Sequence, residues 1–316
     1  MNNKFLDIDY YQNIINDRLA SIHVDTKHIN ELIKYVLLSR GKRLRPILSL
    51  VVSNACKGEF DNAIDPAIGV EILHNFTLVH DDIMDGDDMR HGLETVHKKW
   101  DNGTAILTGD ALLAIAFDYM SRVNENKNMT NTVTKVLLNI CEGQLIDKRF
   151  ESMDNIEISD YMKMVDYKTG NLLGLAAEIG AVSAGFNKYS NRFNNFGRLL
   201  GQAFQIQDDY LEIFSESDKM GKSLSSDILL GKKTYFMIMA RQIDSSKMDY
   251  FIDIAQSDLQ KAILLIREFM IENGIDKTGK QLVSDTIDRA YTIIEKLDID
   301  HREILSLVNF ILNRRS

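Results

Sequence analysis

A net charge of −9 over 316 residues argues against nucleic acid as a partner and makes any compact basic cluster informative. With 45% hydrophobic and 26% charged residues the chain reads as an ordinary globular protein, and no run approaches the ~20 apolar residues of a membrane span. Two cysteines are too few for a disulfide framework; Cys56 and Cys141, both in apolar helical context, are expected as buried free thiols in a reducing compartment, here the cytoplasm.

Only Pro46 and Pro66 interrupt the chain, with no linker or low-complexity segment, so residues 1–316 are expected to form one domain of long helices. Met1–Tyr10 lacks the apolar core of a signal peptide. Tyr10–Leu38 reads as one or two amphipathic helices. Arg40-Gly41-Lys42-Arg43-Leu44-Arg45-Pro46 follows, a dense run of cations in an acidic protein. Gly41 suits the end of one helix and Pro46 the first turn of the next. A helix junction leaves backbone N–H groups for an anion, and guanidinium grips phosphate bidentately. The cluster therefore suits a diphosphate, with a solvated loop as the plainer reading.

Ala63–Met84 reads as one long helix ending in Asp81-Asp82-Ile83-Met84-Asp85. Residues i and i+4 share a helix face, so Asp81 and Asp85 stand one above the other. Like charges at that spacing destabilise a helix by roughly 0.2–0.5 kcal/mol, which calls for a cation between them. Two carboxylates with the other positions open to water and phosphate suit Mg²⁺. A calcium loop starting at Asp81 has its glycine at Gly86 but fails at Ile83 and Gly92. Gly86–Thr95 is a polar loop with Arg90 and His91.

Asn102–Val123, Thr132–Phe150 and Ser159–Ala184 continue the helical pattern, the last interrupted by Lys168-Thr169-Gly170. A lysine inside an apolar helix needs a partner or a way out to water. Arg192–Phe214 carries Asp208-Asp209-Tyr210-Leu211-Glu212, the same acidic spacing again. Gly221-Lys222 and Gly231-Lys232-Lys233-Thr234 follow, and Asp249–Arg315 is helical in pattern without chemistry of its own. No strand pair, nucleotide loop or solenoid repeat is expected.

Taken together, the two carboxylate clusters, the separate basic cluster and the trailing lysines suit an enzyme that handles two diphosphate esters. From Gly41-Lys42-Arg43-Leu44-Arg45-Pro46 to Gly231-Lys232-Lys233-Thr234 the sequence resembles the trans-prenyl diphosphate synthases. The shared motifs include His74, Arg90 with Gly92, Thr95-Val96-His97, Gly109-Asp110, Glu142-Gly143-Gln144, Lys168-Thr169, Gln205 and Gly221-Lys222.

The resemblance implies an all-α bundle of mostly antiparallel helices around a central cavity, and a homodimer. It implies condensation of isopentenyl diphosphate with dimethylallyl, geranyl or farnesyl diphosphate, and Mg²⁺, as three ions bound with the allylic diphosphate. Asp81, Asp85 and Asp208 match the metal ligands, with Asp82, Asp209 and Glu212 in support. Arg90, Lys168 and Lys222 match residues of the allylic diphosphate site, Lys232 is a further substrate-binding position, and Lys168, Thr169 and Gln205 line the place where the allylic cation forms. Gly41, Lys42, Arg45 and His74 match the isopentenyl diphosphate site. Three departures stand out: His91 where the family has arginine, Glu212 for aspartate, and Ser225 for glycine.

Phe76, five residues before Asp81 and about 7.5 Å deeper along the helix, is the expected floor for the growing chain, with the smaller Thr77 beside it. An acidic motif without insertion favours geranylgeranyl diphosphate as product over farnesyl diphosphate or a longer quinone side chain. A non-catalytic partner subunit would be expected to lose the acidic motifs. A cyclase or head-to-head synthase would not need Lys42, Arg45 and His74.

Overall fold

Hydrophobic periodicity along most of the chain is that of helices, and the computed structural model bears this out for the residues it describes, 6–123, 129–153, 155–214 and 232–312. Lys222, Gly221, Ser225 and Gly231 lie outside them. The order is α1 (Ile8–Ala20), α2 (Lys27–Leu37), α3 (Leu44–Ala55), α4 (Phe60–Asp85), β1 (Met89–Arg90), β2 (Leu93–Glu94), α5 (Val96–Lys99), α6 (Asn102–Ser121), α7 (Met129–Phe150), α8 (Ile158–Val165), α9 (Asn171–Ser183) and α10 (Ser190–Phe214). Then come α11 (Tyr235–Ile243), α12 (Ser245–Ala255), α13 (Leu259–Glu272), α14 (Ile275–Ile294) and α15 (Arg302–Leu312). The fold is all-α, with one hairpin among the described residues.

Two compact units divide it. The first holds the chain up to Val136 with Leu175–Asn194 and Leu297–Leu307. The second holds Leu137–Gly174, Asn195–Lys296 and the stretch from Val308 onward.

In the first unit α3 is buried nearly all round, Ile47, Leu48, Val51 and Val52 being fully enclosed. Its Ser49 hydroxyl donates to the Ala176 carbonyl of α9 at 2.8 Å, so the buried polar group is satisfied. α4 and α6 run antiparallel and touch closely. A methyl group on Gly69 would stand 2.5 Å from Met120 Cγ, and one on Gly109 would stand 2.2 Å from His80 Nε2. Glycine at these positions is what lets the two helices meet. α6 is also the one described helix long and apolar enough to cross a bilayer. Part of that apolarity is used against α4; Ile106 and Leu107 point outward.

Gly86, with φ +70°, caps α4 in the left-handed conformation, and its N–H donates to the Asp82 carbonyl. The following polar loop contains a strand pair, where none was expected from the sequence. β1 and β2 pair through a two-residue turn, His91-Gly92, in which both φ values are positive (52° and 83°). That is the geometry a tight hairpin requires, and histidine is among the residues that tolerate it.

The second unit is built around Tyr161, Phe196, Ile206 and Phe236, all enclosed. Arg267 Nε donates to the Ile213 carbonyl at 2.8 Å, satisfying a carbonyl at the end of α10. The expected interruption at Lys168 takes a definite form. Asp166–Gly170 is a π-helical turn between α8 and α9, a widening often found at functional sites. Cys56 is buried as expected; Cys141, on α7, is exposed.

Candidate functional site

The site residues of the first unit gather at the end of α4. Asp81 and Asp85 are half-exposed on one face, as their spacing requires. Asp82, between them in sequence, turns inward and accepts from Arg90 Nε, while Arg90 Nη2 donates to Asp87 at 3.1 Å. Burial pushes the Asp82 carboxyl up and the Arg90 charge opposes that shift. Asp82 thus anchors a cation at the rim of the carboxylate pair.

The basic cluster separates into two roles. Arg43 is buried; its guanidinium donates to Glu71 at 2.9 Å, to the Leu37 and Ser39 carbonyls and to Asn16 Oδ1. Its charge is used inside the fold. Lys42 is exposed, and Arg45 Nη1 lies 3.0 Å from His74 Nε2. An arginine has no lone pair to accept with, so the contact requires His74 Nε2 to be the acceptor. Burial and the charges of Arg45 and Arg90 hold the His74 pKa well below the usual histidine value, in keeping with that neutral form. Gly41 packs close to the Arg43 guanidinium, where a methyl group would stand 3.2 Å from Nη1.

His91 and Arg90 line a small cavity of about 40 Å³ with Tyr35, Asn75, Asp82 and Thr95. Burial, then Arg90 and Arg43, lowers the His91 pKa below its ordinary value. Thr95 ties the hairpin down by donating to the Asp87 carbonyl at 2.7 Å.

Phe76 is buried, its ring meeting that of His80 edge-on with centroids 4.8 Å apart. Thr77, not Phe76, shares the helical face of Asp81, and its hydroxyl donates to the His74 carbonyl at 2.8 Å.

In the second unit a cavity of about 160 Å³ is lined by Lys168, Thr169, Gln205, Asp209, Glu212 and Lys232, all foreseen from the sequence. It also contains Asp147 and Tyr161, which sequence reading missed. Lys168 Nζ donates to Asp147 Oδ2 at 2.6 Å. Asp147 lies three residues after Gln144 and one helical turn after Gly143; that spacing was the available signal. Gly143 itself is where α7 meets the π-turn, since a methyl group there would stand 2.6 Å from the Lys168 backbone nitrogen.

The π-turn is clamped from α10. Asp166 accepts from Arg198 and, at 3.0 Å, from Gln202 Nε2. Thr169 donates to Gln205 Oε1 at 3.1 Å, and Gln205 Nε2 donates to Asp209 Oδ1 at 3.0 Å. Asp209 is buried, and its Oδ2 accepts from the Tyr161 hydroxyl at 2.6 Å. Burial pushes its carboxyl up to about 6 despite these donors. Asp208 and Glu212 are half-exposed, one turn apart on α10.

No group of three or more His, Cys, Asp or Glu among the described residues could hold a metal ion by itself. Asp81 with Asp85, and Asp208 with Glu212, are pairs of half-exposed carboxylates one helical turn apart.

The sequence profile of the polyprenyl synthetase family matches residues 26–266. A geranylgeranyl pyrophosphate synthase of Geoglobus acetivorans is 45% identical over 212 residues, 66% of each chain. A geranylgeranyl diphosphate synthase of Sulfolobus acidocaldarius is 32% identical over 96% of each chain. Among solved structures, a geranylgeranyl pyrophosphate synthetase from Pyrococcus horikoshii superposes with a TM-score of 0.87 at 30% identity, over 97% of each chain.

Proposed function

The chain belongs to the polyprenyl synthetase family, and from that premise we propose that it joins isopentenyl diphosphate head-to-tail to an allylic diphosphate, giving geranylgeranyl diphosphate. The observation that carries this reading is the half-exposed pair Asp81 and Asp85 beside an anchored Arg90, repeated in spacing by Asp208 and Glu212. Oxygen-only pairs of this kind suit Mg²⁺, which takes its remaining ligands from water and phosphate. Bound there, the ion offsets charge on the departing diphosphate.

The chain's own residues do the rest. Arg90, Lys168 and Lys222 are assigned to the allylic diphosphate from the family pattern, and Lys232, in the same pocket as Lys168, is a further substrate-binding residue. Lys42 and Arg45 hold isopentenyl diphosphate, with His74 aiming the Arg45 guanidinium and His91 reaching the same phosphate. Thr169 and Gln205 turn oxygen atoms toward the developing allylic cation. Holding both partners in place replaces a bimolecular encounter and lowers the barrier by several kcal/mol.

Phe76 limits the product length. Residues 1–316 act as one synthase domain in the cytoplasm, as a homodimer joined through the outward face of α6, where Ile106 and Leu107 are exposed. The test is to incubate the purified protein with Mg²⁺, labelled isopentenyl diphosphate and each of dimethylallyl, geranyl and farnesyl diphosphate, then size the products. A twenty-carbon product is expected; no elongation of any starter would overturn the reading.

A further inference from the structure

A carboxamide has two ends of opposite polarity and nearly equal size, so a glutamine beside a forming cation helps or hinders according to which end faces it. Gln205 lines the cavity of the second unit next to Thr169 and Lys168. Its Oε1 accepts from the Thr169 hydroxyl at 3.1 Å and its Nε2 donates to Asp209 Oδ1 at 3.0 Å. An ionised carboxylate only accepts, so the amide nitrogen is the one end of Gln205 that can face Asp209.

Asp209 is itself held still. Its other oxygen accepts from the Tyr161 hydroxyl at 2.6 Å and the Tyr235 backbone N–H at 3.4 Å, and only 4% of its surface is exposed. Asp208 and Glu212, on the same helix, are half-exposed where Asp209 is enclosed. With its proton given to Gln205, the Thr169 hydroxyl keeps its lone pairs for the cavity.

We propose that Tyr161 and Asp209 are positioning residues that lock the Gln205 amide with its oxygen, not its nitrogen, toward the allylic cation. Asp209 thereby acts through Gln205 and Thr169 instead of on the metal. This rests on the prenyl-transfer reading above. It gives Tyr161, which lines the cavity with only 2% of its surface exposed, a part in the chemistry.

Tyr161→Phe removes a single hydroxyl from the lock. In Asp209→Asn the Tyr161 hydroxyl and the Tyr235 N–H hold the amide oxygen on their side, so Nδ2 faces Gln205 and permits its amide to reverse. The probes are an ammonium-containing analogue of geranyl diphosphate, carrying its positive charge where the allylic cation forms, and the uncharged carbon isostere. Both are titrated by calorimetry against the full chain with Mg²⁺.

Wild type is expected to favour the ammonium analogue. In both variants that preference is expected to fall by about tenfold, with binding of the neutral isostere unchanged; kcat should fall while KM for geranyl diphosphate holds. Variants that keep the wild-type preference would overturn the lock. Equal weakening of both analogues would overturn it too, since that is the signature of a purely structural role. Absence of any preference in wild type would strike at the prenyl-transfer reading itself.

Discussion

Glu71→Gln separates the cations of the basic cluster by what each is for. Arg43 and Glu71 meet at 2.9 Å with side chains only 4% and 5% exposed, so water does little to screen them. The remaining acceptors of the Arg43 guanidinium, the Leu37 and Ser39 carbonyls and Asn16 Oδ1, are all neutral. Glutamine keeps the volume and one acceptor oxygen but leaves the arginine charge without a counter-charge. Removing one charge of a buried pair costs about 3–5 kcal/mol, and the retained hydrogen bond places this variant near the lower end, about 3 kcal/mol. With a urea slope of about 3 kcal/mol per M for a chain of this length, the unfolding midpoint should fall by about 1 M. Urea titration followed by circular dichroism measures it, and KM for isopentenyl diphosphate should not change. An unmoved midpoint together with a raised KM would refute the reasoning, because Arg43 would then belong to the substrate site.

Asp81→Ala and Asp208→Ala are each expected to abolish turnover while the unfolding midpoint holds or rises slightly, since a like-charge neighbour at i+4 is relieved; full activity at saturating Mg²⁺ would exclude the metal role. His91 and His74 both have pKa values lowered in the fold, chiefly by burial. The unfolded chain takes up their protons near pH 6.5 and the folded chain only below that, so their stabilising contribution is present above pH 6.5 and lost as pH falls; midpoints measured from pH 8 to 5 test the sign. Because charged His91 binds phosphate better, KM for isopentenyl diphosphate should rise as pH climbs through its lowered pKa, and His91→Arg should flatten that profile. Phe76→Ala should shift product sizes upward with turnover largely kept; an unchanged product ladder would place the floor elsewhere.

What the sequence determined by itself was local. The face shared by Asp81 and Asp85 follows from helical periodicity, and the break at Lys168-Thr169-Gly170 from a cation inside an apolar run. Each depends on neighbours within a turn or two. The inward turns could not be read that way. Arg43 and Arg45 are two residues apart, yet one is committed to Glu71, twenty-eight positions away, and the other to His74. Asp208 and Asp209 are adjacent, but only Asp209 meets Tyr161, forty-eight positions away. Cys141 lies in apolar sequence and yet is exposed. Which side of a helix is buried is set by the element packed against it, and burial then decides whether a charge serves the fold or remains available to a ligand.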